Sequence, residues 1–177
     1  YGIYFVLDAA QTAGCEPIDI QKMGIDFLCT AGHKGLYGPT GTGLLVTQFG
    51  DRLAPLVDGG TGSLSAQYEQ PDFMPDRLES GTLNTMGIIG LGAGIDFIEK
   101  RGLEQIARYE SRVASVIYEG LQAIQNVRLY APAPEFSKNV PVLSFNIVGL
   151  NSEETTAKLN DAGFALRGGL HCAPLAH

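Results

Sequence analysis

The chain lacks several features that would have narrowed its role. No apolar run approaches the ~20 residues needed to cross a bilayer, and the amino terminus has no charged segment leading into a cleavable hydrophobic stretch. Both absences argue against a membrane and point to the cytoplasm. Basic residues are few and scattered: twelve Lys and Arg stand against nineteen Asp and Glu, a net charge of −7. The electrostatic footprint of a phosphate-backbone binder is missing, which argues against nucleic acid as a partner. Cysteine is scarce too. Cys15, Cys29 and Cys172 make an odd count with no C-x-x-C or Cys/His cluster, so neither a disulfide framework nor a metal site is expected. Cys29 reads as a small hydrophobe in a strand, and Cys15 has no feature to separate it from that plain role. Cys172 is set apart by its neighbours.

What is present suits a soluble globular protein, with 45% hydrophobic residues over 177 positions and enough length for a substantial core. The first 50 residues alternate in the manner of an α/β sheet. The pattern predicts a strand over Ile3 to Leu7, a helix over Thr12 to Met23, and strands over Asp26 to Thr30 and Gly43 to Thr47. Residues 58–84 carry Gly59-Gly60-Thr61-Gly62-Ser63, two prolines and no sustained period, which predicts a long ordered loop or arm.

From Thr85 the period becomes helical, with Ile88, Leu91, Ile95 and Ile98 on one side. Gly87, Gly90, Gly92 and Gly94 interrupt it at a cost of about 1 kcal/mol each against alanine, so they imply close packing against another backbone. Gly102 breaks the helix, and a second amphipathic one follows from Leu103 to Ile124. After residue 126 the character changes. Alternation over Val142 to Val148 predicts a strand, Asn151 with Glu154 a capped helix ending at Gly163, and Phe164 to Leu166 a further strand. Residues 1–125 therefore read as one unit, including the loop, and 126–177 as a smaller α+β unit.

The chemistry centres on Lys34, set between an apolar strand and the glycine-rich turn Gly35 to Gly43. A phosphate-loop reading fails, because Walker A places its lysine after the glycines. A lysine that forms a Schiff base with pyridoxal phosphate needs company: a carboxylate for the pyridine nitrogen, a donor to the ring oxygen, and donors around the phosphate. Asp8 and Gln11, at the carboxyl end of the first strand, fit the first two. His33, beside Lys34, fits the third or the orientation of the lysine adduct. Taken singly, each has a plainer reading as a cap, a surface amide, a surface imidazole or a solvated charge. Their combination in this order is far rarer.

Together these residues resemble the cysteine desulfurase and selenocysteine lyase branch of the class V aminotransferases. Five motifs carry the resemblance, in the family's order and across nearly the whole chain. They are Asp8-Ala9-Ala10-Gln11; Gly32-His33-Lys34 with Tyr37-Gly38-Pro39-Thr40-Gly41-Thr42-Gly43; Gly59-Gly60-Thr61-Gly62-Ser63; Arg77-Leu78-Glu79-Ser80-Gly81-Thr82-Leu83-Asn84; and Arg167-Gly168-Gly169-Leu170-His171-Cys172-Ala173. Ala31 departs from those members that carry serine there, and so offers no hydroxyl to a phosphate.

The resemblance implies the fold of the pyridoxal phosphate transferases: part of a large α/β domain, a mostly parallel sheet with flanking helices, followed by part of a small α+β domain. It implies that Lys34 carries the cofactor, Asp8 and Gln11 hold its ring, and His33 contacts its phosphate. Gly81 and Thr82 would reach the phosphate of a second copy in a homodimer. Cys172 would take sulfur from L-cysteine as a persulfide, leaving alanine, with His171 and Arg167 supporting its thiolate, before passing the sulfur to an acceptor or iron-sulfur scaffold protein. Family members are longer at both ends and carry there a ring-stacking histidine and a carboxylate-binding arginine. The chain is therefore expected to be a fragment that lacks activity by itself. Another class V enzyme, either a selenocysteine lyase or an aminotransferase, is the alternative within enzymes. A non-catalytic dimerisation or interaction fragment is the alternative outside them.

Overall fold

A computed structural model describes residues 2–176, and these fall into two compact units that divide between Ile106 and Ala107. The change of unit falls inside a helix, whereas the boundary expected near residue 126 follows the change from helix to strand.

The first unit is built on a three-stranded sheet. Strand β1 (Val6–Asp8) runs parallel to β2 (Phe27–Ala31), and β3 (Gly43–Thr47) returns antiparallel on the far side of β2. The β3 bounds are those expected from the apolar run. The ladder of β1 starts later than expected, at Val6. The preceding Phe5 instead meets the start of β2, its N–H donating to Asp26 Oδ2 at 2.7 Å and its carbonyl accepting from Asp26 and Phe27. Tyr4, Phe27 and Phe49 form an aromatic cluster at this end, with the Tyr4 and Phe27 centroids 5.4 Å apart. Arg52 lies over the Phe49 ring and donates to the Tyr4 hydroxyl at 2.7 Å, a bond that holds its guanidinium above its ordinary pKa.

The helix expected from Thr12 to Met23 does not form. Residues 9–16 make successive tight turns, and only α1 (Ile20–Met23) is helical. Gly14 has φ +84° and Pro17 lacks an N–H, so a continuous helix is broken twice. Asp19 caps α1 by accepting the Lys22 N–H at 3.0 Å, and that bond, followed by the Lys22 ammonium, holds its carboxyl below the usual carboxylate range. A small core of Ala9, Ile25 and Leu28, flanked by Leu7, Ala13, Ile18 and Ile20, sits beneath these turns. Cys29, expected to act as a small hydrophobe, is exposed instead, and Cys15 is half-buried.

Helix α2 (Thr85–Arg101) is capped by the Asn84 side chain, which accepts the Gly87 N–H at 3.0 Å, and it ends at Gly102. Its buried residues are Gly87, Leu91 and Gly94. A Cβ on Gly94 would lie 2.2 Å from the Leu36 carbonyl oxygen, so this glycine marks the close backbone packing that the sequence implied. Gly92 has no neighbour within 4 Å and marks none.

Helix α3 (Leu103–Gln122) carries the chain into the second unit. There β4 (Val127–Leu129) pairs antiparallel with β5 (Phe145–Ile147), and α4 (Ser152–Asp161) follows, capped by Asn151 accepting from the Glu154 N–H at 2.7 Å. Of the strand expected over Val142 to Val148, only Phe145–Ile147 forms, opposite β4. Phe164 to Leu166 is not a strand. Its N–H groups are spent on α4 instead, Phe164 donating to the Leu159 carbonyl and Leu166 to Asn160 Oδ1.

Candidate active site

Because β1 and β2 are parallel and β3 antiparallel, the end of β1, the end of β2 and the start of β3 meet at one sheet edge. Asp8 is the last residue of β1 and lies opposite Cys29; Ala31 closes β2 opposite Gly43. Four of the residues singled out in the sequence, Asp8, Gln11, His33 and Lys34, come from the segments at this edge. All four are exposed. The carboxyl edge of parallel strands is where ligands of open α/β sheets bind.

The main chain fixes these residues tightly. Asp8 Oδ1 accepts the Ala10 N–H at 2.9 Å, an Asx turn that sets the carboxylate at the strand end. The Ala9 N–H donates to the Cys29 carbonyl at 2.8 Å, and the buried Thr30 hydroxyl donates back to the Ala9 carbonyl at 3.3 Å. Thr30 is thereby committed to the fold, and with Ala31 lacking a hydroxyl neither residue is free to serve an anion here.

Lys34 stands in a closed turn. The Tyr37 N–H donates to the Lys34 carbonyl at 3.0 Å, the Gly38 N–H to Gly32 at 2.8 Å, and the Gly32 N–H to Thr42 at 2.9 Å. Tyr37, at φ 57°, turns its ring onto Phe97 of α2 with centroids 5.2 Å apart. The turn is also pressed against the segment after β1. A Cβ on Gly35 would lie 2.4 Å from the Ala13 carbonyl oxygen, and one on Gly14 would lie 2.0 Å from the Gly35 oxygen. The glycines that read as freedom to turn are here the condition for two backbones to touch.

The long loop holds Gly81 and Thr82. Gly81 donates to the Gly59 carbonyl at 2.8 Å and Thr82 is exposed. Arg77 ties the loop inward, its Nε donating to the Leu53 carbonyl at 3.0 Å and its Nη1 meeting Asp72 at 2.6 Å; Ser63 bonds to Asp76. Gln70, which sequence reasoning passed over, bonds to three main-chain groups of this loop. A glutamine in a stretch without periodicity gives no signal of such a role.

The remaining residues lie in the second unit. Arg167, His171 and Cys172 are all exposed. His171 and Cys172 have φ of 50° and 63°, consecutive left-handed residues that are uncommon outside glycine. The run is anchored at Gly168, where a Cβ would lie 2.4 Å from Thr156 Oγ1 and 2.7 Å from the Ser152 carbonyl of α4. The Ala173 N–H closes the turn onto Leu170 at 2.9 Å.

The family model "Aminotransferase class-V" matches residues 1–177. The chain belongs to the class-V aminotransferases. A probable cysteine desulfurase of Pyrococcus abyssi is 38% identical to this class-V chain over 176 residues, covering 97% of the chain and 43% of the relative. A cysteine desulfurase of Klebsiella pneumoniae is 36% identical over 178 residues, covering 98% of the chain and 43% of the relative. Among solved structures, the apo cysteine desulfurase of Thermococcus onnurineus superposes with a TM-score of 0.86 at 40% identity, over 97% of this chain and 44% of that one. The cysteine desulfurase CsdA of Escherichia coli superposes with a TM-score of 0.83 at 28% identity, over 96% and 42%. The class-V chain thus spans less than half the length of these relatives. Its fold is that of the corresponding part of the desulfurases. Among the described residues no helix is long and apolar enough to cross a membrane, and no cluster of His, Cys, Asp and Glu suits a metal ion.

Proposed function

We propose that the class-V chain is part of a pyridoxal phosphate-dependent cysteine desulfurase, with Lys34 the cofactor's anchor and Cys172 the sulfur acceptor. The observation that carries the reading is the open sheet edge to which one segment brings the Asp8 carboxylate and the Gln11 amide, and a turn closed by main-chain bonds brings the His33 imidazole and the Lys34 amine. That set of groups fits pyridoxal phosphate, an aldehyde-bearing pyridine with a phosphate arm. Asp8 would meet the pyridine nitrogen, Gln11 the phenolic oxygen, His33 the phosphate, and Lys34 the aldehyde carbon. Gly81 and Thr82 would serve the phosphate of a second copy in a homodimer.

When bound, the cofactor supplies an electron sink that lets the α-carbon of L-cysteine lose its proton. Lys34 would take that proton at Nζ. The Cys172 thiolate attacks the substrate sulfur: an S–S bond forms, the carbon–sulfur bond breaks, and its electron pair stays with carbon, which is protonated to give alanine. Only the thiolate does this well, and a neighbouring imidazolium or guanidinium favours that form, the part given to His171 and Arg167. A persulfide on an exposed cysteine is open to an acceptor, of which an iron-sulfur scaffold protein in the cytoplasm is the expected kind.

The test is reduction of the pyridoxal phosphate-loaded whole protein with borohydride, followed by peptide mapping. The stable adduct is expected on Lys34 and is lost in Lys34→Ala. An adduct on any other lysine overturns the assignment. With Cys172→Ala, the adduct is expected to survive while persulfide formation from L-cysteine stops. Cleavage of selenocysteine that persists without the thiol would favour a selenocysteine lyase instead, and transfer of the amino group with the carbon–sulfur bond intact an aminotransferase.

A further inference from the structure

Gln70 closes a stretch, residues 62–69, that is exposed throughout, yet it is itself half-buried. Its side-chain amide uses both ends. Oε1 accepts the Gly59 N–H at 2.8 Å, and Nε2 donates to the Asp76 carbonyl at 2.6 Å and to the Glu79 carbonyl at 3.1 Å. The main chain it grips is the one that carries Gly81: Gly81 donates to the Gly59 carbonyl at 2.8 Å, and a Cβ on Gly60 would lie 3.0 Å from Gly81 Cα. One side chain therefore joins the incoming strand of the loop, at Gly59, to its outgoing strand, just before Gly81. Only an amide fits, because the site asks for one acceptor and two donors. A carboxylate would set charge against two carbonyl oxygens, and an alanine would leave all three groups without this partner.

Nothing in the proposed reaction uses Gln70. We infer that it is a positioning residue, a clamp that sets Gly81 and Thr82 for contact with the cofactor's phosphate. The inference rests on the phosphate role given to Gly81 and Thr82 above. It makes the recognition of the phosphate, as distinct from the ring, depend on a residue that touches neither.

The test uses the whole protein and two variants, Gln70→Ala and Gln70→Glu, with two readouts. The first, without cofactor, is hydrogen exchange at the Gly59 and Gly81 amides, with α2 amides as the internal control of folding. Exchange at the two glycines is expected to rise severalfold in both variants, with α2 unchanged. The second is titration with pyridoxal phosphate and with pyridoxal, which has the same ring and aldehyde but no phosphate. Affinity for pyridoxal phosphate is expected to fall roughly tenfold, the loss of one or two net hydrogen bonds, while that for pyridoxal stays the same. Unchanged exchange at Gly59 and Gly81 overturns the clamp. Equal weakening of both ligands overturns its link to the phosphate. If Lys34→Ala retains the reducible adduct, the assignment of Lys34 falls instead, and the exchange result still decides the clamp.

Discussion

Lys34 and Cys172 are both exposed, but what lies beneath them differs. Lys34 sits on a turn closed by three main-chain bonds and pressed between the segment after β1 and helix α2, with no room for a Cβ at Gly14, Gly35 or Gly94. Cys172 sits beyond a single anchored glycine, in a run of left-handed residues whose closing bond is the one from Ala173 to Leu170. The contrast matches the two tasks proposed for them. A group that holds a cofactor gains from a base that does not move, whereas a group that takes sulfur from one partner and hands it to another needs approach from the solvent.

The sharpest way to break the comparison is to exchange the two side chains' roles by deletion. Lys34→Ala is expected to abolish the borohydride-fixed adduct, read by mass spectrometry, while leaving the far-ultraviolet circular dichroism unchanged. Cys172→Ala is expected to leave the adduct and abolish persulfide formation, read by thiol-alkylation mass spectrometry. A smaller effect probes the foundation of the lysine turn. Gly35→Ala should cost about 2–3 kcal/mol in denaturant unfolding, the usual cost of overpacking against groups that cannot yield, because the Ala13 carbonyl is main chain. In α2 the same change at Gly92, which meets nothing within 4 Å, should stabilise by about 0.5–1 kcal/mol, so one helix holds a glycine that is needed and one that is not.

The smallest effect lies at Asp19. Its carboxyl is held below its ordinary value by Lys22, so its contribution is present above the unfolded pKa and is lost as pH falls through the folded one. Asp19→Asn keeps the cap oxygen and removes the charge. The variant should show a slightly flatter loss of stability between neutral and acid pH, read by thermal melts across that range. An unchanged slope would count against the Lys22 interaction as its cause.

How much of this was legible in the sequence depended on the range of the contacts involved. Strand β3 was read to the residue, because an apolar run ending in glycine on one side and a turn on the other leaves a strand little latitude. The cap at Asn151 was read from its spacing to Glu154, a contact within one turn. The helix over Thr12 to Met23 was misread because the alternation of elements expected of an α/β sheet was allowed to outweigh Gly14 and Pro17, which break a helix locally. The strand at Phe164 to Leu166 was misread because three apolar residues do not distinguish a ladder from a segment bonded to the preceding helix. At the proposed site, Asp8, Gln11, His33 and Lys34 were singled out through their order along the chain. Gln70 was not, since its partners lie six to eleven residues away in a loop where nothing in the spacing announces them.

The Gln70 clamp also divides the long loop into two parts with different engineering value. Residues 64–69 project from a base fastened by Gln70 and by the bond from Ser63 to Asp76, and exposed tips of that kind tolerate insertions and accept probes. A fluorophore or affinity tag placed between Ser65 and Tyr68 would therefore report on the surroundings of this tip while leaving Gly59, Gly81 and the fastening between them as they are.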